Sequence, residues 1–447
     1  MREDTDVKER LLLLRDKMDS VKEILDKLPI PQTAKEYIEE KIIQDKELNE
    51  LAYAVEHARA ARVFLMGRTG VGKSALINAL CSQYVAQVND VASETMSASR
   101  YTVRRGEDDI LEVFDSRGIA ESQNQAGEDQ VSAEEQLINE VVEYQPDLIV
   151  YIMSCSSRDY IAQDAVAIRK IQKQYKAKYE LELPLLVALN RADEVPPKSK
   201  SMKEKAAKYK EIIQERRRDL VLNGLSIAPQ QMLAVASYIE WADAEGNVLD
   251  EEQIKALTPE QRLELQIADD QRYNIEEFKD LMLLAIQNFS AALGLSPICR
   301  AERFLKCWAE KVVNSFATLA MAVAVTDRIP VTDMVVLTTL QTIMVYMIAI
   351  LGRGRTSFEE AKNFVLSLLG LMSVGYFVRS ISRKLLQLLP IPGLGDFVNA
   401  SLAGGTTRTE GQAAIRYYID EVDLETVKQS FKEEMGNLTM RLKKKED

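Results

Sequence analysis

The chain has 447 residues, a formal net charge of −12 and a 46% share of hydrophobic residues, enough for two or three domains with a sizeable core. The acidity argues against general nucleic-acid binding, which needs a basic surface. A single histidine argues against His-based triads, and four scattered cysteines without C-x-x-C spacing suggest neither a zinc site nor a disulfide framework. No apolar secretory segment opens the chain, so we expect a cytoplasmic protein.

Residues 1–60 predict an N-terminal helical domain. An apolar stripe at spacings of three and four consists of Leu11, Leu14, Met18, Val21, Leu25 and Leu28. This pattern is typical of a coiled-coil-like helix, which Pro29 and Pro31 end before a second amphipathic stretch. Two alternatives stay open, namely that these helices pack on the same chain or that they bind a partner.

A phosphate-binding loop follows a predicted buried strand. The strand is Val63–Met66, and Gly67, Arg68, Thr69, Gly70, Val71, Gly72, Lys73 and Ser74 complete G-x-x-x-x-G-K-S, with Ala75 opening a helix. Loop amides and the helix N-terminus would hold phosphate oxygens. Lys73 would neutralise the β- and γ-phosphates, and Ser74 would bind Mg²⁺.

Alternating strands and helices over residues 61–290 predict an α/β domain with a mostly parallel sheet. The predicted strands are Val63–Met66, Tyr101–Arg105, Ile110–Phe114, Leu148–Ile152, Leu185–Leu189 and Met232–Val235. The second and third are separated by a short turn, which predicts an antiparallel hairpin. The acidic stretch from Glu240 to Asp270 is typical of an insertion, and the charges of the Lys-rich helix predicted over residues 199–222 are expected to form a solvated face.

Residues 115–118, Asp-Ser-Arg-Gly, end the strand Ile110–Phe114. We expect Asp115 to hold Mg²⁺ through water and the Gly118 amide to meet the γ-phosphate, which makes the motif a nucleotide-dependent switch. A hydroxyl must complete the Mg²⁺ shell. Its spacing favours Thr95, with Ser99 as the alternative.

Residues 190–193, Asn-Arg-Ala-Asp, follow the strand Leu185–Leu189 at the edge where a base-binding loop is expected. The Asp193 carboxylate would accept hydrogen bonds from both N1–H and N2–H₂ of guanine, whereas adenine offers no such pair of donors. Asn190 and Arg191 belong to the same loop. Ala236 and Ser237 follow the last strand, where a backbone amide would meet guanine O6.

Residues 291–447 predict a C-terminal helical domain with three uncharged runs, at 312–326, 334–352 and 363–378. Only the second is long enough to span a membrane, but Thr338, Thr342 and Tyr346 give it a polar stripe. A soluble bundle, a reversibly membrane-associating bundle and an inserted helix remain as alternatives. The bundle is the interpretation that the polar stripe favours.

The motifs at 67–74, 115–118 and 190–193, in this order and spacing, resemble GTPases of the Era/EngA-like and septin-like branches. Residues 328–333 with 337–340, and 389–395 with 396–400, resemble a helical domain found behind some bacterial Era-like GTPases. The layout of helices, GTPase domain and helices also resembles the dynamin-like, immunity-related GTPases, which act at membranes. The resemblance implies GTP as substrate, GDP as product, Mg²⁺ as cofactor, and oligomerisation or membrane association as output, including a homodimer through the GTPase domain and peripheral binding at the inner face of a membrane.

Three departures from the family pattern bear on catalysis. Ile119 follows Gly118, so the Gln that orients water in Ras-like enzymes is missing. Ser116-Arg117 stands where many relatives have Pro, and Gly70 replaces the Asn of potassium-activated relatives. We therefore predict slow hydrolysis involving Lys73, Thr95 and Gly118, with Arg68 or Arg117 as candidates to act across a dimer.

The leading interpretation is a GTP hydrolase whose helical domains respond to the nucleotide state. Two alternatives remain: a soluble GTP-dependent assembly switch with a protein or RNA partner, and a GTP-binding scaffold that does not hydrolyse.

Overall fold

The computed structural model describes residues 7–19, 21–27, 32–85, 98–105, 108–116, 129–156, 161–325, 333–354, 356–371 and 394–443. The chain forms two compact units. Residues 58–300 make one, and the segments before and after them, up to residue 57 and from residue 301, make the other. The N-terminal helices thus belong to the same unit as the C-terminal helices.

The helices, in chain order, are α1 (Val7–Asp19), α2 (Val21–Asp26), α3 (Gln32–Gln44), α4 (Lys46–Glu56), α5 (Lys73–Cys81), α6 (Asp129–Tyr144), α7 (Ile161–Tyr179), α8 (Ala206–Leu222), α9 (Glu251–Ala256), α10 (Pro259–Leu263), α11 (Ile275–Ala285), α12 (Phe289–Gly294), α13 (Ala301–Val325), α14 (Asp333–Arg353), α15 (Phe358–Leu371), α16 (Leu394–Tyr418) and α17 (Leu424–Lys443). The strands are β1 (Ala61–Met66), β2 (Ala98–Arg105), β3 (Asp108–Ser116), β4 (Leu148–Ser154), β5 (Leu185–Asn190), β6 (Met232–Ala234), β7 (Ile239–Ala242), β8 (Val248–Leu249) and β9 (Gln266–Asp270).

A six-stranded sheet with the order β2-β3-β1-β4-β5-β6 is the framework of the α/β unit. Only β2 runs antiparallel, paired with β3, which confirms the predicted fold class and hairpin. Every residue of β4 and β5 is buried. Helices must therefore cover both faces of these strands, which explains their continuous apolar runs.

The register of the parallel strands sets where the functional loops begin. Leu65 of β1 lies beside Asp115 of β3, and Ser154 of β4 lies beside Asn190 of β5. Parallel strands place their carboxyl ends at the same edge of a sheet, where ligands of open α/β folds bind. Gly67, the end of β3 and the end of β5 therefore lie at one edge of the sheet.

The acidic stretch after β6 folds into a small antiparallel sheet with the order β8-β7-β9, accompanied by α9 and α10. Both short helices begin with a capping box: Asp250 and Thr258 accept from the backbone N–H of Gln253 and Gln261. This inserted sheet (β7–β9) carries three of the acidic residues of the stretch, namely Glu240, Asp269 and Asp270.

In the helical unit, α13, α14 and α16 pack together, and α1 packs on α4 and α14. The leucine stripe of the N-terminal helices is used there, because Leu11, Leu14 and Leu25 are all buried. Gly411 of α16 leaves room for Val313 of α13, since a Cβ on Gly411 would overlap the valine methyl groups. Close helix contacts thus follow from a small residue on one face.

One described helix, over Val336–Arg353, is long and apolar enough to cross a membrane, with a mean hydropathy of 1.5. In the structure 78% of this stretch is buried inside the protein. Gln341 and Thr342 of the same helix are also buried, and Gln341 donates to the Thr407 hydroxyl of α16 at 3.2 Å. Gln341 therefore uses its side-chain amide in packing between α14 and α16, while the Thr342 hydroxyl donates to the Thr338 carbonyl of its own helix.

Candidate nucleotide site

The phosphate loop joins β1 to α5 at the carboxyl edge of the sheet. A Cβ on Gly67 would lie 2.5 Å from the carbonyl oxygen of Ile152 in β4, so only glycine fits against this strand. Gly72 is the N-cap of α5 with φ of 90°, a left-handed conformation that favours glycine. The loop thereby directs the N-terminus of α5, with its partial positive charge, toward the place predicted for phosphate.

Lys73 opens α5, and its side chain is only 8% exposed. Its Nζ donates to the carbonyl oxygens of Gly67 at 2.9 Å and Arg68 at 3.4 Å, and lies 3.7 Å from Oδ1 of Asp115. The ammonium group is thus held between the loop and the end of β3. This position fits the predicted role of Lys73 in neutralising bound phosphates, which stays a prediction.

Ser74 and Asp115, two of the residues predicted to bind Mg²⁺, both carry oxygen donors. Asp115 is 7% exposed and ends β3 beside β1, while Ser74 is exposed on the first turn of α5. A carboxylate and a hydroxyl are hard oxygen donors, and Mg²⁺ is bound by one or two such groups together with substrate phosphates. The two residues therefore fit Mg²⁺, which would neutralise phosphate charge when bound.

Asn190, at the end of β5, joins the phosphate loop to the base-binding loop. It is 1% exposed; its Nδ2 donates to the Val71 carbonyl at 2.9 Å, and its Oδ1 accepts from the Ser237 hydroxyl at 3.1 Å. Arg191, in a left-handed conformation with φ of 59°, donates to the Gly70 carbonyl. Three loops distant in sequence are braced together by these side chains.

Asp193 lies in a short 3₁₀ turn, Ala192–Glu194, directly after that brace. The backbone carbonyl of Asp193 accepts from Lys205 Nζ at 3.0 Å, and that of Ala192 accepts from the Tyr209 hydroxyl at 2.9 Å. Burial raises the pKa of Tyr209 to about 12, so it stays a neutral donor. The turn that carries the Asp193 carboxylate, which is predicted to read guanine, is thus held in place by these two hydrogen bonds.

Lys205 is a positioning residue that the sequence analysis missed. The charges of residues 199–222 are expected from the sequence to form a solvated face, but Lys205 and Arg216 are each only 3% exposed. That expectation is wrong for these two residues. Helical periodicity alone could not identify them, because the carbonyl that Lys205 contacts lies twelve residues earlier in a loop.

Ala236 and Ser237 differ in what they offer. The Ala236 amide donates to the Tyr273 carbonyl at 3.1 Å and its carbonyl accepts from the Tyr273 amide at 3.0 Å, so the Ala236 amide is already paired and does not fit the predicted role at guanine O6. Ser237 instead orients Asn190 through its side chain.

Arg68 faces its own domain. Its Nε lies 3.9 Å from Oδ2 of Asp164, which also accepts from the Tyr151 hydroxyl at 2.7 Å. Burial raises the pKa of Asp164 above its usual range, against the Tyr151 hydrogen bond and the Arg68 charge. Arg68 thus lies near a carboxylate of its own chain, and its role across a dimer stays a prediction.

Other predicted residues of the switch region lie outside the described residues, namely Thr95, Arg117, Gly118 and Ile119. Ser99, the alternative to Thr95, is in β2 and lies opposite Asp115 in the ladder with β3. Thr69 and Ala75, the remaining residues predicted at this site, both lie within the described residues. Thr69 is four residues before Lys73, and Ala75 directly follows Ser74.

The strand–loop–helix, the buried lysine beside a carboxylate and the brace at Asn190 together have the arrangement expected of a phosphate-binding site. Residues 62–191 match the family model described as "50S ribosome-binding GTPase" (MMR_HSR1). One curated relative, the uncharacterized protein YfjP of Escherichia coli strain K12, is 29% identical over 135 residues. That match covers 30% of this chain and 42% of the relative, so the chain spans less than half the length of the relative.

Solved structures similar to this chain include a dimerization-deficient mutant of Toc33 from Arabidopsis thaliana, with 16% identity, coverage of 60% of this chain and 92% of the other, and a TM-score of 0.29. A probable GTP-binding protein EngB has 15% identity, coverage of 51% and 99%, and a TM-score of 0.27. Era from Aquifex aeolicus bound to GDP and aluminium fluoride has 14% identity, coverage of 59% and 68%, and a TM-score of 0.25.

Proposed function

We propose that this protein binds GTP with Mg²⁺, hydrolyses it to GDP, and signals the nucleotide state through its helical unit. The observation that carries the proposal is the brace at Asn190, which links the Val71 carbonyl of the phosphate loop to Ser237 of the last loop. It holds the phosphate end and the base end of the site in one geometry. The family match over residues 62–191 supports the same class of reaction.

Guanine is the proposed base, because the Asp193 carboxylate can accept from both N1–H and N2–H₂. Hydrolysis would be slow without a partner, since catalysis of phosphoryl transfer depends on positioning and on charges aimed at the transferred group. Lys73 supplies one such charge from within the domain, and Ser74 and Asp115 would hold the metal. The switch residues Thr95 and Gly118 are proposed to complete the site.

The test combines binding and turnover. We expect the purified protein to bind GDP more tightly than ADP and to release phosphate from GTP, and Lys73→Ala to lose both activities. Lys208→Ala is the matched control, because Lys208 is an exposed lysine of the same unit that pairs with the exposed Glu211 at 3.2 Å. Phosphate release no faster than that of Lys73→Ala would favour the non-hydrolysing scaffold instead.

For the output, we propose a GTP-dependent change in assembly, including a homodimer through the GTPase domain. Mass measured by light scattering after size exclusion, in GDP and in a non-hydrolysable GTP analogue, tests this directly. An unchanged mass in both nucleotides would exclude self-assembly as the output.

Two further outputs are proposed as alternatives. In the first, the helical unit is a soluble bundle that acts in the cytoplasm on a ribosomal or other assembly partner. The burial of most of Val336–Arg353 supports the bundle, and the family description supports the partner. Peripheral binding at the inner face of a membrane would require the apolar helices to rearrange. Flotation with liposomes and sedimentation with ribosomes, each with and without the GTP analogue, distinguish the two.

A further inference from the structure

A cavity of about 830 Å³ lies in the GTPase domain between the first turns of α5 and the inserted sheet (β7–β9). Ser74, Ala75 and Asn78 line one wall, and Glu240 and Trp241 of β7 lie in the opposite wall. Its volume falls within the range of small-molecule sites. The inserted sheet, which had no role in the site described above, thus builds one side of a cavity.

The cavity adjoins the proposed nucleotide at both of its ends. Ser74 and Ala75 follow Lys73 directly, and Ser237, also in the lining, bonds to Asn190 of the base loop. A guanine nucleotide that extends from Lys73 to Asp193 must carry its ribose between these two ends. The ribose is therefore the part of the nucleotide that faces the cavity, an argument that rests on the proposed function.

The charges of the lining select against further phosphate. Glu240, Asp250 and Glu251 contribute carboxylates, and none of the lining residues that the structure describes is Lys, Arg or His. A carboxylate repels a phosphate group but accepts hydrogen bonds from ribose hydroxyls, as an acidic residue does in dinucleotide-binding folds. The cavity therefore suits an unmodified ribose.

Glu240 is the carboxylate best placed for this role. Asp250 is committed as the N-cap of α9, accepting from the Gln253 amide at 2.8 Å, and Glu251 pairs with Lys255 at 2.8 Å. Glu240 is oriented by the Tyr238 hydroxyl, which donates to its Oε1 at 3.1 Å. A second oxygen of Glu240 is still able to accept from a ligand hydroxyl.

Aromatic side chains give this wall a rigid base. The rings of Tyr84 and Trp241 meet edge to face, with centroids 5.6 Å apart, and Trp241 is only 6% exposed. Such pairs add to the stability of packing. Glu240 thus lies on β7 directly before Trp241, whose ring is held by packing against Tyr84.

We propose that the inserted sheet is the ribose-side wall of the nucleotide site, with Glu240 accepting a hydrogen bond from a ribose hydroxyl. The cavity selects guanine nucleotides with free ribose hydroxyls over those phosphorylated on the ribose. The inserted sheet is then a specificity element for the nucleotide.

The experiment is calorimetric titration of the full chain, with Mg²⁺, using GDP, 2′-deoxy-GDP, 3′-deoxy-GDP and GDP with an added 3′-phosphate. We expect the wild type to bind one deoxy form about tenfold more weakly than GDP, the usual effect of losing a hydrogen bond to a charged group. Glu240→Ala should remove that difference, and Glu240→Gln should narrow the gap between GDP and the 3′-phosphorylated form. Glu245→Gln, an exposed glutamate in the turn between β7 and β8, should change neither ratio.

The result that overturns the inference is a wild-type deoxy-GDP to GDP ratio that Glu240→Ala leaves unchanged, or equal affinity for GDP and its 3′-phosphorylated form. Its failure is distinguishable from failure of the proposed function. If the wild type binds GDP but ignores the ribose, the proposed function stands and this inference fails. If the wild type binds none of the four, both fail.

Discussion

Glu410 of α16 is a buried acid whose pH dependence can be worked out from the structure. It is 0% exposed, and neither carboxylate oxygen has a hydrogen-bond partner among the described residues. Burial raises the pKa of Glu410 from 4.5 to about 8, and no charged group contributes to that shift. The carboxyl group is therefore protonated in the folded helical unit at neutral pH.

The sign of the effect follows from proton linkage. Folded Glu410 keeps its proton up to about pH 8, whereas the unfolded chain releases it above pH 4.5, so rising pH favours unfolding between these values. At 1.36 kcal/mol per pKa unit, the cost to the free energy of unfolding is about 3 kcal/mol at pH 7 and under about 1 kcal/mol at pH 5. Below pH 4.5 this group costs nothing.

Glu410→Gln keeps the shape of the side chain and replaces the titratable carboxyl group with a neutral amide. We expect the variant to be more stable than the wild type by about 3 kcal/mol at pH 7, and by under about 1 kcal/mol at pH 5. Urea unfolding at the two pH values, followed by the fluorescence of Trp308, measures this. Trp308 is 1% exposed in the helical unit, and a Trp241→Phe background leaves it as the only tryptophan.

The matched control is Glu433→Gln, the same change at an exposed residue of α17, which should have little effect at either pH. Equal stabilisation by Glu410→Gln at both pH values would refute the linkage, because an effect without pH dependence cannot come from the proton. A wild type that is as stable as the variant at pH 8 would refute it as well.

Three further predictions concern the base end of the site. Asp193→Asn should weaken GDP binding at least about tenfold and improve binding of xanthosine diphosphate, whose 2-oxo group accepts from the amide, while Glu194→Gln should leave both unchanged in calorimetry. Asn190→Ala removes hydrogen bonds to both neighbouring loops and should lower the free energy of unfolding of the α/β unit by about 1–3 kcal/mol in urea titrations, with weaker GDP binding in calorimetry. Lys205→Met removes the ammonium group that holds the Asp193 carbonyl and should weaken GDP binding about tenfold. Lys203→Met, at an exposed lysine, should leave the GDP affinity unchanged. Equal affinities of the two variants for GDP would contradict the positioning role.

The sequence by itself determined the fold class and the phosphate loop, for a local reason. The runs at Val63–Met66 and Leu185–Leu189 are apolar over consecutive residues, which is typical of a strand covered on both faces when turn residues follow it closely. The glycines at 67 and 72 report backbone constraints directly, through a close approach to Ile152 and a positive φ. Signals of this kind lie within a few residues of each other and can be identified without a structure.

The tertiary structure decided what depends on contacts between distant segments. Lys205 looks like any surface lysine in the sequence, yet it is buried because a carbonyl twelve residues away needs a donor. The Arg68 guanidinium lies near the carboxylate of Asp164, ninety-six residues later, and the Ala236 amide donates to the Tyr273 carbonyl. Charge and spacing do not encode such pairings, since each depends on which elements the sheet register brings together.

The same distinction separates the two units. The uncharged run of α14 satisfied a length criterion for membranes in the sequence, and only the packing of α13, α14 and α16 showed where its apolar surface is buried. Likewise, composition indicates that the acidic stretch after β6 is an insertion. Its position beside α5 is a tertiary property, because β7 and α5 form opposite walls of one cavity. Hydropathy and charge are properties of a segment, whereas burial depends on what covers it.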